Sequence, residues 1–288
     1  MDVTVIGPGA VGAPLVQALA AAGFPIRSVA TRSKLKHYDQ LRNRLKLHEE
    51  TIIVNTVELD SSRLGDLVFV TVPDDQIQSS AEELAENPVD WSGRVVAHCS
   101  GFHNSSLLDP IKERGADVAA FHPIQTFTGN DSEEIFKDIY ISIEGSSSAT
   151  RILKTAGAAL GSRPFSIDRE QKNKLHIAAV FLSNYLVALS SIADNLIRES
   201  IPGKNVDLLR PLLEKTAENL NRKCPEDVLT GPVSRGDIET VRQHLELLSD
   251  QPELMNLYKM LGLHALGMIE GNNGSDPRIL KEIEKIFN

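Results

Sequence analysis

Cysteine is scarce. Cys99 and Cys224 lie far apart without C-x-x-C spacing, so the 288-residue chain has no disulfide framework and suits a reducing compartment. Positive charge is also short. Thirty lysines and arginines against 39 acids leave a net charge of −9, which argues against generic nucleic-acid binding. No uninterrupted apolar run reaches the roughly 18 residues of a membrane span. No charged-then-apolar leader precedes the first strand at Asp2 or Val3, so the expected location is the cytoplasm, away from membranes. His98 and His103 lack a third ligand at zinc-like spacing, so no metal is expected. Neither a G-x-S-x-G elbow nor a lysine P-loop is present, which removes the hydrolase and kinase readings.

What is there begins at once. Val3-Thr-Val-Ile6 is a short apolar run, and Gly7-Pro8-Gly9-Ala10-Val11-Gly12 follows at G-x-G-x-x-G spacing. An alanine- and leucine-rich stretch, 13–22, then reads as a helix. A dinucleotide pyrophosphate needs this order. Gly7 permits the tight turn, Gly9 a close backbone approach, and Gly12 close packing of helix on sheet. The positive end of the helix then faces the phosphates.

Further strands are expected at 26–31, 54–59, 67–72, 94–98, 118–121, 139–143 and 163–167. Helices are expected at about 75–86, with Asp75 as cap, at 105–114 and at 147–160. This alternation predicts an α/β fold, a doubly wound, mostly parallel Rossmann-type sheet. From Asp168 the apolar spacing is helical throughout, in segments at 168–200, 207–222, 237–248, 252–270 and 276–287. The expected division is a nucleotide-binding domain at 1–167 and an all-α domain at 168–288, which would serve substrate binding and dimerisation.

At the end of the second strand, where NAD sites present an acid to the ribose, the chain reads Thr31-Arg32-Ser33. Arg32 and Ser33 can instead hold a 2′-phosphate. Residues 32–46 carry six basic side chains (Arg32, Lys34, Lys36, Arg42, Arg44, Lys46) against Asp39 alone. NADP(H) is therefore favoured over NAD(H).

The glycine fingerprint, Val70-Thr-Val72-Pro73-Asp74 and Ala97-His98-Cys-Ser100-Gly101 resemble pyrroline-5-carboxylate reductase, prephenate dehydrogenase, 6-phosphogluconate dehydrogenase and ketopantoate reductase relatives. Three later motifs are more distinctive: Phe121-His122-Pro123-Ile-Gln-Thr126-Phe127, His176 to Asn184, and Thr230-Gly231-Pro232 through Arg235-Gly236-Asp237. They resemble the Rossmann-like oxidoreductases with a C-terminal helical domain of unknown function. That resemblance spans the chain. It implies an NADP-type cofactor, reductase activity on a small molecule, and a homodimer formed through the helical domain.

Candidate chemistry sits at strand ends. Val72, Pro73 and Asp74 are expected beside the nicotinamide ribose, and Ser100 with Gly101 around the nicotinamide. His98 is either a site residue or a buried histidine bonded to backbone. His122 can donate a proton to a carbonyl or imine, or can pin the loop after it. His176 and Asn184 are eight residues apart on nearly one helix face, with Ser183 beside Asn184. Relatives of 6-phosphogluconate dehydrogenase place a lysine four residues before the matching asparagine. Here Val180 stands there, so His176, or after it Lys172 or Lys174, must take the acid–base role. Arg235, flanked by glycine, suits a substrate anion or an interdomain ion pair. Asp237 and His244 share a helix face near it. The leading expectation is an NADPH-dependent reductase of a small carbonyl or imine. A non-catalytic NADP-binding sensor and a deazaflavin (F420)-dependent reductase are the alternatives.

Overall fold

Four buried residues, Val3–Ile6, form β1, and the chain turns at Gly7 into α1, Gly12–Ala21. In this computed structural model, residues 1–32, 38–270 and 277–288 are described. The expected Ser33, Lys34 and Lys36 lie outside them. β2 is Ile26–Thr31, α2 is Tyr38–Leu45 and β3 is Ile52–Asn55. The third strand was expected at 54–59, but Asn55 accepts from the Val57 amide and turns 56–58 into one 3₁₀ turn.

β4, Leu67–Val70, is followed by α3, Ile77–Glu86. Asp75 does not cap that helix, because a 3₁₀ turn over Asp74–Gln76 comes between. β5 is Val95–His98, and the short α4, Asp109–Lys112, follows a 3₁₀ turn at Ser105–Leu108. β6 is Asp117–Pro123, β7 is Tyr140–Gly145, α5 is Ser147–Ala159 and β8 is Arg163–Ser166.

The sheet order is β3-β2-β1-β4-β5-β6-β7-β8. Its first six strands are parallel in the Rossmann order, and β7 runs antiparallel to β6. Between β6 and β7 the described residues carry one 3₁₀ turn, Glu133–Phe136, and no helix to make a parallel crossover. Alternation along each strand builds a core on both faces. Leu67, Phe69, Val95 and Ala97 pack with Leu15, Leu19 and Leu153, while Val68, Val70 and Val96 pack with Ile77, Ala81 and Trp91.

Asp168 caps α6, Arg169–Leu182, in a reciprocal capping box with Gln171. α7, Asn184–Ser200, continues from it after Ser183. Then come α8 (Arg210–Leu220), α9 (Pro225–Val228), α10 (Pro232–Arg235), α11 (Ile238–Leu247), α12 (Pro252–Glu270) and α13 (Pro277–Phe287). The chain divides into two compact units, Met1–Leu189 and Ser190–Asn288. The first extends past residue 167 because α6 anchors on the sheet, with Lys172 Nζ donating to the Ser100 carbonyl at 2.8 Å. The second has its own core of Val241, Leu266, Ile269, Leu280, Ile283 and Phe287.

The stretch Arg169–Ser200 contains an 18-residue window of mean hydropathy 1.7, none of it buried. By length and composition alone it is apolar enough to cross a membrane. A search for unbroken apolar runs passes over it because His176, Ser183 and Asn184 interrupt the run, although its mean stays at 1.7.

Candidate functional site

The glycine turn has the geometry its spacing promised. Gly7 has φ +85°, and a Cβ there would stand 2.9 Å from Val72 Cγ1. A Cβ on Gly12 would collide with Thr71 Oγ1 and lie 2.5 Å from the Gly7 carbonyl. Thr71 uses that space, donating through Oγ1 to the Gly7 carbonyl at 2.7 Å. At Gly9 the nearest protein atom to such a Cβ is 4.0 Å away, so this face of the loop is open to a ligand.

Beside the turn is a cleft of about 490 Å³. Gly7, Pro8, Gly9, Thr31, Arg32, Val72 and Pro73, all expected at a cofactor, line it. Ala10, Val11 and Gly12 complete the loop and open α1. Arg44, from the basic run, and Tyr38, not singled out before, also contribute. Arg44 on α2 reaches back to donate to the Pro8 carbonyl at 2.7 Å. The Tyr38 hydroxyl is buried in the wall with no partner among the described residues. A donor left unbonded costs free energy unless a ligand meets it. The open glycine, the arginines and this hydroxyl fit a dinucleotide phosphate. Arg42, in contrast, donates to the His48 and Thr51 carbonyls and does not line the cleft.

Asp74 follows Pro73 but does not line that cleft. Its carboxylate accepts from Ser100 Oγ at 2.7 Å and ties the end of β4 to the end of β5. His98 is fully buried, with Nε2 3.0 Å from the Asn104 carbonyl and Nδ1 accepting from the Ser100 amide. Burial pulls its pKa down to about 4, so it is a neutral turn-forming residue.

Gly101 is where the polar motifs meet. A Cβ there would lie 2.6 Å from His176 Nδ1 and 2.9 Å from His122 Nε2. Two imidazoles from β6 and α6 thus aim nitrogens at one point, which only glycine leaves vacant. Their ring centroids are 6.2 Å apart. His122 Nδ1 is 3.4 Å from Ser142 Oγ, whereas His176 Nδ1 is buried without a partner. His122 does not titrate near neutrality. Burial first, then the charges of Lys172, His176 and His98, push its pKa down to about 3. It is a neutral imidazole at pH 7.

Lys172, ranked behind His176 in the sequence, is held beneath the same turn. It is 1 % exposed, four residues before His176 on α6, and fixes the Ser100 carbonyl. Burial lowers its pKa to about 8, opposed by Glu144, Cys99 and Asp74. Cys99 beside it is an inert thiol, pushed by burial up to about 12. Lys174 instead pairs with Glu170 on the surface.

Asn184 is exposed, and its Oδ1 accepts from Ser183 Oγ at 2.9 Å. It opens α7, eight residues after His176 and past the break between the helices at Ser183.

The remaining candidates lie in the second unit. Asp237 caps α11, accepting from the Thr240 amide and from Thr240 Oγ1 at 2.7 Å, and these bonds hold its carboxyl below the usual range. His244 Nδ1 is 2.8 Å from the Tyr258 hydroxyl, joining α11 to α12. Arg235 ends α10 and is exposed, and Gly236 turns the chain with φ +70°. Among the described residues, no cluster of three or more histidine, cysteine or acidic side chains could hold a metal ion.

Comparison with known proteins adds two matches in sequence. A Rossmann-like domain matches residues 1–123, and a domain of unknown function (DUF2520) matches residues 139–265. No curated protein matches the chain. Among solved structures, a Bacteroides fragilis protein provisionally described as an NADP oxidoreductase is 25 % identical. The match covers 92 % of this chain and 97 % of that one, with TM-score 0.74. A protein from Thermotoga maritima is 26 % identical over 94 % and 100 % of the two chains, also at TM-score 0.74. The Aspergillus terreus reductive aminase, solved with NADPH and ethyl levulinate, is 16 % identical over 99 % and 98 %, at TM-score 0.63.

Proposed function

From a chain that joins a Rossmann-like domain to a DUF2520 domain, we propose an NADP(H)-dependent oxidoreductase that reduces a small carbonyl or imine compound. One observation carries the reading. The end of β4 lines the glycine-lined cleft, and the neighbouring strands β5 and β6 lead to Gly101 and carry His122, with His176 of α6 aimed at the same point. The likeness to a structure described as an NADP oxidoreductase and to a reductive aminase supports the cofactor and the reaction class.

A nicotinamide dinucleotide held in the cleft supplies the hydride. The chain supplies position and proton. With Ser142 donating to His122 Nδ1, the His122 Nε2 carries hydrogen and polarises a substrate oxygen or nitrogen as a neutral donor. His176 Nδ1, unpartnered in the protein, faces the same point and takes the proton-transfer role. Lys172 holds the Ser100–Gly101 turn that sets their spacing and is a positioning residue. Asn184, Ser183, Arg235, Asp237 and His244 remain candidates for orienting the substrate.

The test is calorimetric titration of the full chain with NADPH and with NADH in one buffer. Micromolar NADPH binding, at least about tenfold tighter than NADH, is expected from the two arginines in the cleft and the missing acid at the end of β2. Binding of neither overturns the proposal and turns attention to deazaflavin.

The apolar side chains left open on α6 and α7 support a homodimer. Phe181, Leu182, Tyr185, Leu186 and Val187 are all exposed, Leu182 at 77 %. A patch of this kind is covered in a working protein. Light scattering should give twice the 31.5 kDa of one chain. Leu182→Glu with Val187→Glu should give the monomer, and sedimentation of the unaltered protein with lipid vesicles would instead favour a membrane surface.

A further inference from the structure

Arg32 is not idle in the cleft. Its Nη2 is 2.5 Å from Glu83 Oε2, on α3. Glu83 follows Gln76 by seven residues and Ser80 by three, so all three share one helix face. Gln76 and Ser80 line the cleft. The acid missing from the end of β2 is thus delivered from the opposite wall, 51 residues later in sequence.

We infer that Glu83 sets the discrimination between 2′-phosphorylated and 2′-hydroxyl dinucleotides, by competing with the 2′-phosphate for Arg32. This rests on the nucleotide reading above. Both partners are partly solvated, Arg32 at 50 % side-chain exposure and Glu83 at 28 %. Such a pair is weak enough for a dianionic phosphate to displace. The displaced carboxylate then remains beside the phosphate, and like charges in proximity oppose binding. A 2′-hydroxyl meets no such opposition and leaves the ion pair intact. Glu83 therefore restrains the preference for NADPH that Arg32 creates.

The experiment is the same titration on full-length protein carrying Glu83→Gln, Arg32→Ala or both. Both side chains are surface-accessible, so the variants should fold, which a thermal melt checks. Glu83→Gln is expected to tighten NADPH roughly tenfold with NADH altered less than twofold. Arg32→Ala is expected to remove most of the preference, and in the double variant the Glu83 effect should shrink to what charge repulsion alone supplies. An unchanged NADPH-to-NADH ratio in Glu83→Gln, with the unaltered protein binding NADPH, overturns this inference alone. So does a Glu83 effect that persists undiminished without Arg32. If the unaltered protein binds neither dinucleotide, the nucleotide reading falls and this inference with it.

Discussion

Gly101→Ala should lower kcat by at least about 100-fold while leaving the affinity for NADPH within a few-fold. Gly101 does not have a positive φ, so the backbone accepts alanine. The added carbon would lie 2.6 Å from His176 Nδ1 and 2.9 Å from His122 Nε2. Both are side-chain atoms rather than backbone, so the rings are displaced and the chain still folds. Placement of a general acid and a polarising donor contributes roughly 10²–10⁴-fold to rate, and misplacement by about 1 Å forfeits much of it. The glycine loop at residues 7–12 and Arg32 are untouched, so binding is spared. Steady-state kinetics beside calorimetry reads both numbers. A kcat within threefold of the unaltered enzyme would show that the point above Gly101 is not where chemistry occurs.

Lowering the pH from 7 to 5 should cost roughly 3 kcal/mol of folding stability. The sign follows from two histidines kept neutral by burial, His98 near 4 and His122 near 3, against about 6.5 in the unfolded chain. Above 6.5 both states are neutral and the full stability is present. Between 6.5 and about 4 the unfolded chain takes up protons that the folded one refuses, so stability falls with pH. Each histidine contributes up to about 1.4 kcal/mol per pH unit over that window. Lys172, lowered to about 8 from 10.5, changes stability only between those two values and leaves the acid window alone. Urea titrations at pH 5, 6 and 7 measure the slope. His122→Phe should remove about half of it, and a slope unaffected by that change would mean that His122 is charged in the native protein.

The parts of this protein legible in one dimension are those set by neighbouring residues. β1, the glycine turn and α1 follow from apolar spacing and from the conformations glycine alone permits, and β2 runs over Ile26–Thr31 as its β-branched pattern implies. The caps at Asp168 and Asp237 are local as well, since each side chain bonds an amide three residues on. Other elements were out of reach. β7 reads like any short apolar strand, and its antiparallel direction depends on what joins it to β6. The third strand shifted because one Asn55 side chain bond ends it early.

The site divides along the same line. Spacing alone determined where the pyrophosphate cradle lies, since a turn, a close approach and a helix N-terminus are built from six consecutive residues. Spacing also offered His122 and His176, with Lys172 ranked behind His176, as separate candidates, with no means of bringing them together. Only the tertiary structure decided that His122 and His176 converge over Gly101, that Lys172 fixes the turn beneath them from 72 residues away, and that Glu83 holds Arg32. The reason is physical. Conformational preference and capping act over a few residues of chain, whereas burial, charge proximity and the pKa values they set depend on which distant segments the strand order brings into contact.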